Sequence, residues 1–244
     1  MIKGLAPIYD QLFPIEGQAH AFFLAQLEHE TSNTRPPFAL DVGCGTGALL
    51  ALAAEKGWRG LGIDPDLDMV QIARARLSQH AGMEISKGTM QDKLPSGVAD
   101  RLFCTGNTIC FCKNLHELRT IFTGFRSALR EDGRLIIQII NWDRIDLHGT
   151  YEFPVLSVLS GGTEYAFHRR YIPVVAGQRM LFETELCTNA GRVRTTAEMT
   201  VIPAETLRRI ARETHFQAIQ LLGSFAGERW SKQSPLTLLT AEPA

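Results

Sequence analysis

The segment from Phe38 to Ala48 limits the possible folds of this chain more than any other part of it. An apolar run, Phe38 to Val42, leads into three glycines that alternate with small residues, and a helix-forming run continues to Ala54. This order predicts a buried strand, a tight turn and a helix, which is the first unit of an open α/β sheet. In such sheets ligands bind beyond the carboxyl ends of the strands, so the glycine turn is the first candidate site.

The acidic residue in front of the glycines, Asp41, indicates the kind of ligand. The glycines alone also fit the Gly-x-Gly-x-x-Ala fingerprint of dinucleotide-binding proteins. A pyrophosphate binds to backbone amides at a helix N-terminus, where a neighbouring carboxylate is unfavourable. A ligand with an ammonium group favours that carboxylate. S-adenosyl-L-methionine is such a ligand, because its methionine part is zwitterionic, its sulfonium is cationic and it has no phosphate.

The acidic-x-Gly-x-Gly-x-Gly pattern is complete here and resembles motif I of the class I S-adenosylmethionine-dependent methyltransferases. The resemblance implies an α/β, Rossmann-like, doubly wound sheet of seven mostly parallel strands, with S-adenosyl-L-methionine as cofactor. It also implies that this loop holds the methionine part of the cofactor. The residues concerned are Asp41, Gly43, Cys44, Gly45 and Gly47.

A carboxylate ends the second predicted strand, which runs from Trp58 to Ile63. Asp64 is placed there to accept both ribose hydroxyls of a nucleoside ligand, whether a dinucleotide or S-adenosylmethionine. The alternative is a solvated turn residue before Pro65. Given the glycine motif, we predict that Asp64 binds the ribose.

Three residues are candidates for the adenine end of the cofactor, and all three rest on the resemblance. In the resembled family a position beside Met69 touches the adenine, and an acidic residue after the third strand bonds the adenine amino group. Thr89 stands at that acidic position in this chain, and Asp92 is either its substitute or a loop carboxylate. Met90 is predicted to cover the adenine ring.

The fourth and fifth predicted strands also end in polar residues, in segments 105–108 and 141–144. Because strand ends face the ligand crevice, Thr105 and Gly106 are further candidates for binding the cofactor. Both segments resemble the Gly-Asn-Ser and Asn-Tyr-Asp segments of small-molecule N-methyltransferases related to glycine N-methyltransferase. The glycine enzyme has an arginine before its Asn-Tyr-Asp segment, whereas this chain has Ile140, so we do not expect glycine to be the acceptor.

Three other arginines are alternatives for holding a substrate anion: Arg144, Arg169 and Arg170. The last two lie in a segment that we predict to be a strand. Exposed arginines on strands are usually solvated, so the sequence favours that simpler interpretation.

Methyl transfer from a sulfonium is a direct displacement, and positioning can supply much of its rate without a dedicated base. A neutral amine needs only acceptors that orient it, whereas a hydroxyl usually needs a base or a metal. Asn107 and Asn141 offer such acceptors, and Asp143 offers a base or an orienting group. The alternatives are strand-end caps and a salt bridge to Arg144. Tyr9 is predicted either to fold over the methionine end as part of an N-terminal lid or to anchor the N-terminal segment.

The pattern changes after the fifth strand to an alternation of polar and apolar residues. The alternating segments are 163–172, 178–187 and 193–202, and they predict antiparallel hairpins. The helical period returns at Ala204. We therefore predict a cofactor-binding catalytic domain of residues 1–146 and 203–244, with an inserted antiparallel substrate lid of residues 147–202.

Composition argues against several other classes of protein. The formal net charge of −1 gives no basic surface for nucleic acid. There is neither an apolar run long enough to cross a bilayer nor a signal-peptide pattern, so we expect a cytoplasmic protein without membrane partners. The five cysteines lack the paired spacing of a zinc site, and we expect reduced thiols and no metal. Nothing in the sequence predicts the oligomeric state.

The sequence thus predicts an S-adenosylmethionine-dependent methyltransferase that acts on a small molecule, at nitrogen. Three alternatives remain open at this point. They are a small-molecule O-methyltransferase, a nicotinamide-dependent oxidoreductase that uses the same glycine turn, and a non-catalytic protein that binds S-adenosylmethionine. The identity of the acceptor is not predicted.

Overall fold

The computed structural model describes residues 4–28 and 35–244, and residues 1–3 and 29–34 of the predicted domain 1–146 lie outside this description. The strands are β1 (Phe38–Val42), β2 (Arg59–Asp64), β3 (Met83–Lys87), β4 (Ala99–Cys104), β5 (Leu129–Ile140), β6 (Tyr151–Glu152), β7 (Leu156–Ser160), β8 (Thr163–Val175), β9 (Arg179–Thr188), β10 (Gly191–Thr200), β11 (Phe216–Leu222) and β12 (Leu236–Pro243). The α-helices are α1 (Tyr9–Leu12), α2 (Gly17–Leu27), α3 (Ala48–Glu55), α4 (Leu67–Arg76), α5 (Leu115–Ala128) and α6 (Ala204–Glu213). Within the described ranges no helix has both the length and the apolar character needed to cross a membrane.

Sheet A contains seven strands in the order β11-β12-β5-β4-β1-β2-β3. The strands from β5 to β3 pair in parallel, and β12 is antiparallel to both of its neighbours. The predicted Rossmann-like, doubly wound and mostly parallel fold is therefore confirmed. From β1 the next strands in the chain, β2 and β3, are added on one side, whereas β4 and β5 are added on the other side. Open α/β sheets bind their ligands beyond the carboxyl ends of the strands at such a switch point, here between β1 and β4.

The central strands fit this position because they are buried and most of their residues are apolar. Leu40 of β1 and Leu102 and Phe103 of β4 are completely buried. Parallel strands covered by helices on both sides have this composition. The two strands therefore form a rigid base beneath the loops that follow them.

Two helices begin at residues whose side chains cap them. The side chain of Asp66 caps α4 and that of Asn114 caps α5, each accepting hydrogen bonds from two backbone amides of the first turn. Glu117 completes the second cap by accepting a hydrogen bond from the amide of Lys113. These bonds satisfy amides that have no partner within the helix.

β5 begins earlier than the sequence predicts. The segment Glu131-Asp132-Gly133 predicts a turn before a strand from Arg134, but the strand starts at Leu129 and pairs irregularly with β4. Gly133 makes this possible, because a Cβ there would lie 2.8 Å from the carbonyl oxygen of Ala99. Without a side chain at that point, the β5 backbone stays beside β4.

Sheet B is antiparallel, with β10, β9, β8 and β6 in that order and β7 paired to β8. Strands β8, β9 and β10 correspond to the three alternating segments of the predicted lid. One face of the sheet is buried, and its residues Phe167 and Leu186 form a cluster with apolar residues of the N-terminal segment: Leu5, Ile8 and Leu12. The N-terminal segment therefore packs against the inward face of sheet B.

Candidate active site

The glycine loop, residues 43–47, is fixed to the end of β2. The amides of Gly43 and Cys44 donate to the carbonyl oxygen of Ile63 at 2.8 and 3.0 Å. The amide of Gly45 donates to the carboxylate of Asp64 at 2.9 Å. All three glycines of the loop have positive φ angles, between +54° and +80°, which glycine adopts without steric cost. The loop can therefore fold back onto β2 and present its remaining backbone to a ligand.

Asp41 is a buried carboxylate that accepts no hydrogen bond from the described residues. It is 2% exposed, and its Oδ1 atom is enclosed without a donor. Burial, and then the neighbouring charge of Asp64, raise the pKa of Asp41 to about 7. Burial also raises the pKa of Asp64. A buried carboxylate that ionises near neutral pH is stabilised when a cation lies beside it.

The two carboxylates fit S-adenosylmethionine better than a dinucleotide. The methionine ammonium group has the donors that Asp41 lacks. Each oxygen of Asp64 accepts one backbone amide, from Gly45 or Asp66, and keeps a lone pair for a ribose hydroxyl. A pyrophosphate, by contrast, would add negative charge beside two carboxylates. The two carboxylates therefore suit a ligand that has an ammonium group and free ribose hydroxyls.

Cys44 contributes its backbone to the loop, while its side chain packs into the sheet. The residue is 8% exposed, and a Cβ on Gly62 would lie 2.8 Å from its Sγ atom. Burial raises the pKa of the Cys44 thiol, so it stays protonated. All five cysteines are free, and residues 4–28 and 35–244 contain no group of three or more His, Cys, Asp or Glu side chains arranged to hold a metal.

The loops after β1 and β4 meet at the switch point. A Cβ on Gly43 would lie 2.4 Å from Oγ1 of Thr108, so only a glycine fits there. The Thr108 hydroxyl donates to the carbonyl of Thr105 at 2.7 Å, and the amide of Gly106 donates to the side chain of Gln138 at 2.8 Å. Thr105 and Gly106 are thereby held next to the glycine loop, where the sequence predicts them.

Tyr9 of α1 lies across both loops. A Cβ on Gly45 would be 3.9 Å from Cε1 of Tyr9, and a Cβ on Gly106 would be 4.0 Å from its hydroxyl oxygen. Burial, followed by the negative charge of Asp64, raises the pKa of Tyr9 to about 12. The phenol therefore stays protonated and can donate a hydrogen bond. Tyr9 thus contacts the loops after β1 and β4, and its role as a lid stays a prediction.

Asp10, next to Tyr9, joins α1 to the glycine loop and to α4. Its carboxylate accepts a hydrogen bond from the Thr46 hydroxyl at 2.5 Å and forms an ion pair with Arg76. Arg76 also donates to the Thr46 hydroxyl, at 3.1 Å. We call Asp10, Thr46 and Arg76 the latch, because together they hold three separate elements against one another.

Replacing Arg76 with methionine is expected to loosen α1. The ion pair is partly exposed, so the loss of folding stability should be only about 0.5–1 kcal/mol. Hydrogen exchange of the amides in residues 5–13 should increase, and S-adenosylmethionine should bind about three- to tenfold more weakly because Tyr9 is held less firmly. The control is Arg208→Met, which removes an ion pair with Glu205 on α6. Unchanged exchange in residues 5–13 would contradict a latch.

The adenine candidates lie near the ends of β2 and β3. Met69 is completely buried, which places it in the core. The amide of Thr89 donates to the carboxylate of Asp92 at 2.8 Å, so this carboxylate is directed at its own loop. A cleft of about 640 Å³ opens here, and Gly88 and Asp92 are among the residues that line it. Thr89 and Met90 follow Gly88 in the sequence but are not among the residues that line the cleft, and Met90 is buried.

The three polar side chains predicted to orient the acceptor hold the ends of β4 and β5 in place. The side-chain oxygen of Asn107 accepts a hydrogen bond from the amide of Ile140. Asn141 is completely buried and donates to three carbonyl groups of the loop before β12. The carboxylate of Asp143 accepts the amide of Ala204 at the start of α6, at 2.9 Å. Asn141 and Asp143 therefore have structural partners, while the Asn107 amide nitrogen has no acceptor within the described residues.

The sequence analysis missed an aromatic cluster on the inward side of sheet B. The rings of Trp142, Phe153 and Phe182 surround that of Tyr171, with centroids 4.9–5.3 Å from it. Tyr151 packs edge-on against Phe153 at 5.0 Å. Because Trp142 directly follows the end of β5, the cluster brings sheet B to the strand ends of sheet A.

The segment from β1 to the first residues of β5 contains the glycine loop, Asp64 and the loop after β4. Residues 39–133 match the methyltransferase domain. This domain therefore includes all the cofactor candidates of the two central loops. The match confirms the predicted enzyme class, methyltransferase, for this part of the chain and agrees with the predicted cofactor, S-adenosyl-L-methionine. The glycine N-methyltransferase-like branch stays a prediction.

Similarity to individual proteins extends beyond the methyltransferase domain. A putative methyltransferase of Geobacillus sp. (strain WCH70) is 30% identical over 116 residues, which are 46% of this chain and 43% of the relative. The chain spans less than half the length of the curated relatives it matches. An S-adenosylmethionine-dependent methyltransferase from Clostridium acetobutylicum superimposes with a TM-score of 0.78 at 15% identity, over 98% of both chains. A sugar N-methyltransferase from Streptoalloteichus sp. gives 0.77 at 17% identity, over 100% of this chain and 94% of the other. At these identities the two structures establish a shared fold.

Proposed function

We propose that this chain is an S-adenosylmethionine-dependent methyltransferase that methylates a nitrogen atom of a small molecule by direct displacement. The observation that carries the proposal is Asp41, a buried carboxylate with an unbonded oxygen between the glycine loop and Asp64. Two carboxylates beside a glycine loop suit a cationic nucleoside without phosphate. S-adenosylmethionine has that chemistry, and when bound it supplies a methyl group activated by the sulfonium.

The placement of the residues suggests their roles. We assign the methionine part to Asp41 and the glycine loop, the ribose to Asp64, and the adenine to the cleft beside Thr89 and Met90. Tyr9 covers the methionine part and excludes water from the reacting methyl group. The catalytic unit is then formed by residues 1–146 and 203–244, with residues 147–202 covering the acceptor.

Nitrogen is the favoured acceptor atom because a neutral amine needs orientation but no deprotonation. Asn107 adjoins Gly106, which the Tyr9 hydroxyl approaches, so these two side chains are the ones we propose to orient the acceptor. Asn141 and Asp143 are proposed to position this pair by fixing the end of β5. The similar fold of a sugar N-methyltransferase supports the choice of nitrogen.

Calorimetric titration with S-adenosylmethionine and with NAD⁺ tests the donor. We expect S-adenosylmethionine to bind and NAD⁺ not to bind, because Asp41 and Asp64 repel a pyrophosphate. Tight binding of NAD⁺ alone would overturn the proposal in favour of an oxidoreductase.

Turnover with matched amines and alcohols tests the reaction. We expect S-adenosylhomocysteine to form with amines, and mass spectrometry to find the methyl group on nitrogen. Methylation of hydroxyls alone would retain the donor and overturn the choice of nitrogen. Binding of the donor without its consumption across amines, phenols and acids would instead favour a non-catalytic binding protein.

A further inference from the structure

Arg169 is the one arginine of sheet B without an acidic partner within the described residues. Its Nη2 atom donates to the carbonyl oxygen of Pro154 at 3.2 Å, and its Nε–H is buried with no acceptor. A guanidinium has five N–H donors, so most of those of Arg169 are unused. The other arginines of the sheet form ion pairs with glutamates: Arg170 with Glu183, Arg179 with Glu198, and Arg192 and Arg194 with Glu185.

Arg169 lies on the inward face of β8, in phase with the buried residues Phe167 and Tyr171. Its guanidinium carbon is 4.9 Å from the ring centroid of Phe153 and 5.3 Å from that of Phe13. Burial lowers the pKa of Arg169, and the groups that oppose this shift are tyrosine hydroxyls, with no carboxylate among them. The cation is thus partly removed from water and lies close to aromatic rings, with no counter-ion among the described residues.

The position of Arg169 relates it to the glycine loop. The ring of Phe13 contacts the Arg169 guanidinium on one side and the ring of Tyr9 on the other, with 5.0 Å between the two ring centroids. Tyr9 in turn lies on Gly45 and Gly106. The Arg169 residue is only partly buried, so part of it stays accessible to a ligand. One aromatic residue therefore separates this cation from the tyrosine that covers the proposed methyl-transfer position.

We propose that Arg169 binds an oxyanion of the methyl acceptor, so that the substrate is an amine carrying a carboxylate or phosphate several bonds from the nitrogen. This inference rests on the proposed function. A planar guanidinium binds such a group through two parallel N–H···O bonds, and these bonds are strong where water is partly excluded.

Three probes with a similar amine test the inference by binding alone: β-alanine, 2-aminoethyl phosphate and propylamine. In calorimetric titrations of the full chain, we expect one or both anionic probes to bind about 10- to 100-fold more tightly than propylamine. The tighter of the two identifies the anion as carboxylate or phosphate. Arg169→Met should abolish the preference, and Arg169→Lys should retain part of it.

Arg170→Gln is the matched control, because Arg170 is the next residue of β8 and lies on the opposite face. It should leave the preference for anionic probes unchanged. Equal binding of all three probes to the wild-type chain, or an undiminished preference in Arg169→Met, would overturn the inference. If circular dichroism shows that Arg169→Met is unfolded, the test uses Arg169→Lys instead. A preference of Arg169→Lys for the anionic probes identical to that of the wild-type chain would then overturn the inference.

These measurements need no methyl donor, so they separate the inference from the proposed function. An anion preference without any methyl transfer would overturn the proposed function and leave an anion site at Arg169. Methylation of propylamine and the anionic amines with equal KM would keep the proposed function and overturn the role of Arg169.

Discussion

Replacing Asp41 with asparagine is expected to weaken S-adenosylmethionine binding about 100-fold and, at the same time, to stabilise the ligand-free protein. The ionised carboxylate is buried without a partner in the described residues, so it opposes folding. The ammonium group of a bound ligand would compensate the same charge, and asparagine cannot provide that interaction. Calorimetric titration measures the first effect, and thermal unfolding with and without ligand measures the second.

The stability gained by Asp41→Asn should depend on pH, and the pKa of Asp41 gives the direction of that dependence. The pKa of Asp41 in the folded protein is about 7, above the ordinary carboxyl value of about 3.9. Between these values the folded state binds more protons than the unfolded state, so the contribution of Asp41 to stability falls as pH rises from about 4 to 7. The increase in the free energy of unfolding that asparagine causes should therefore be absent below about pH 4 and complete above about pH 7.

Ligand binding to the wild-type chain should change in the opposite direction and strengthen as pH rises towards about 7. The methionine amine itself loses its proton near pH 8, so the measurement belongs below about pH 7.5. Glu55→Gln, a change at an exposed carboxylate at the end of α3, is the control and should show neither effect. A ligand-free Asp41→Asn protein that is less stable than wild type at neutral pH would contradict an unpaired carboxylate.

Replacing Gly43 with alanine is expected to abolish measurable binding of S-adenosylmethionine and to lower the free energy of unfolding by about 2–4 kcal/mol. The φ angle of +80° strains any residue that has a Cβ. The added Cβ would also lie 2.4 Å from Oγ1 of Thr108, which forces the loop after β4 to move. Since both loops form the crevice, its shape would change. Denaturant unfolding and calorimetric titration measure the two effects.

The variant Gly57→Ala distinguishes the cost of the positive φ angle from the cost of the steric overlap with Thr108. Gly57 has a similar φ angle, +78°, but a Cβ there would meet no atom within 4 Å. We expect that variant to lose only about 1–2 kcal/mol and to bind ligand normally. In the double variant Gly43→Ala with Thr108→Gly, the removed side chain should restore part of the stability. Equal losses in Gly43→Ala and Gly57→Ala would show that contact with Thr108 is unimportant.

Local sequence patterns were sufficient to predict the fold. The apolar runs that end in Asp41-x-Gly43 and in Asp64 depend on neighbours only a few residues away. Such short-range signals survive in any tertiary context. The start of β5 was predicted wrongly because Gly133 has two meanings, a turn or a close approach of two backbones, and only the position of β4 decides between them.

The roles of polar strand-end residues were harder to predict because their partners are distant in sequence. Asn141 and Asp143 follow a strand that ends at the site, yet their hydrogen-bond partners lie in the loop before β12 and at Ala204. Nothing in the local pattern distinguishes a side chain that faces a ligand from one that supports a loop. The candidates on the glycine loop are different, because their backbone conformation itself creates the site.

Arg169 did leave a signal in the sequence. Along β8 the positions in phase with it include the aromatic residues Phe167 and Tyr171, which are buried, whereas His168 is exposed. A charged residue among the buried positions of an alternating strand indicates either that the strand register was assigned wrongly or that the charge has a functional role. The sequence analysis considered the arginines one at a time and favoured solvation, so it missed this phase relationship.

The short helix α1 has a kinetic consequence. Tyr9 rests on the glycine loop, and Phe13, just beyond the end of the helix, rests on Arg169. One rigid movement of this turn would uncover both positions together, and a partial movement would uncover neither completely. If the proposed function holds, the spent donor and the methylated product leave during the same opening event. Where this opening is slower than the displacement, its rate sets the upper limit on turnover.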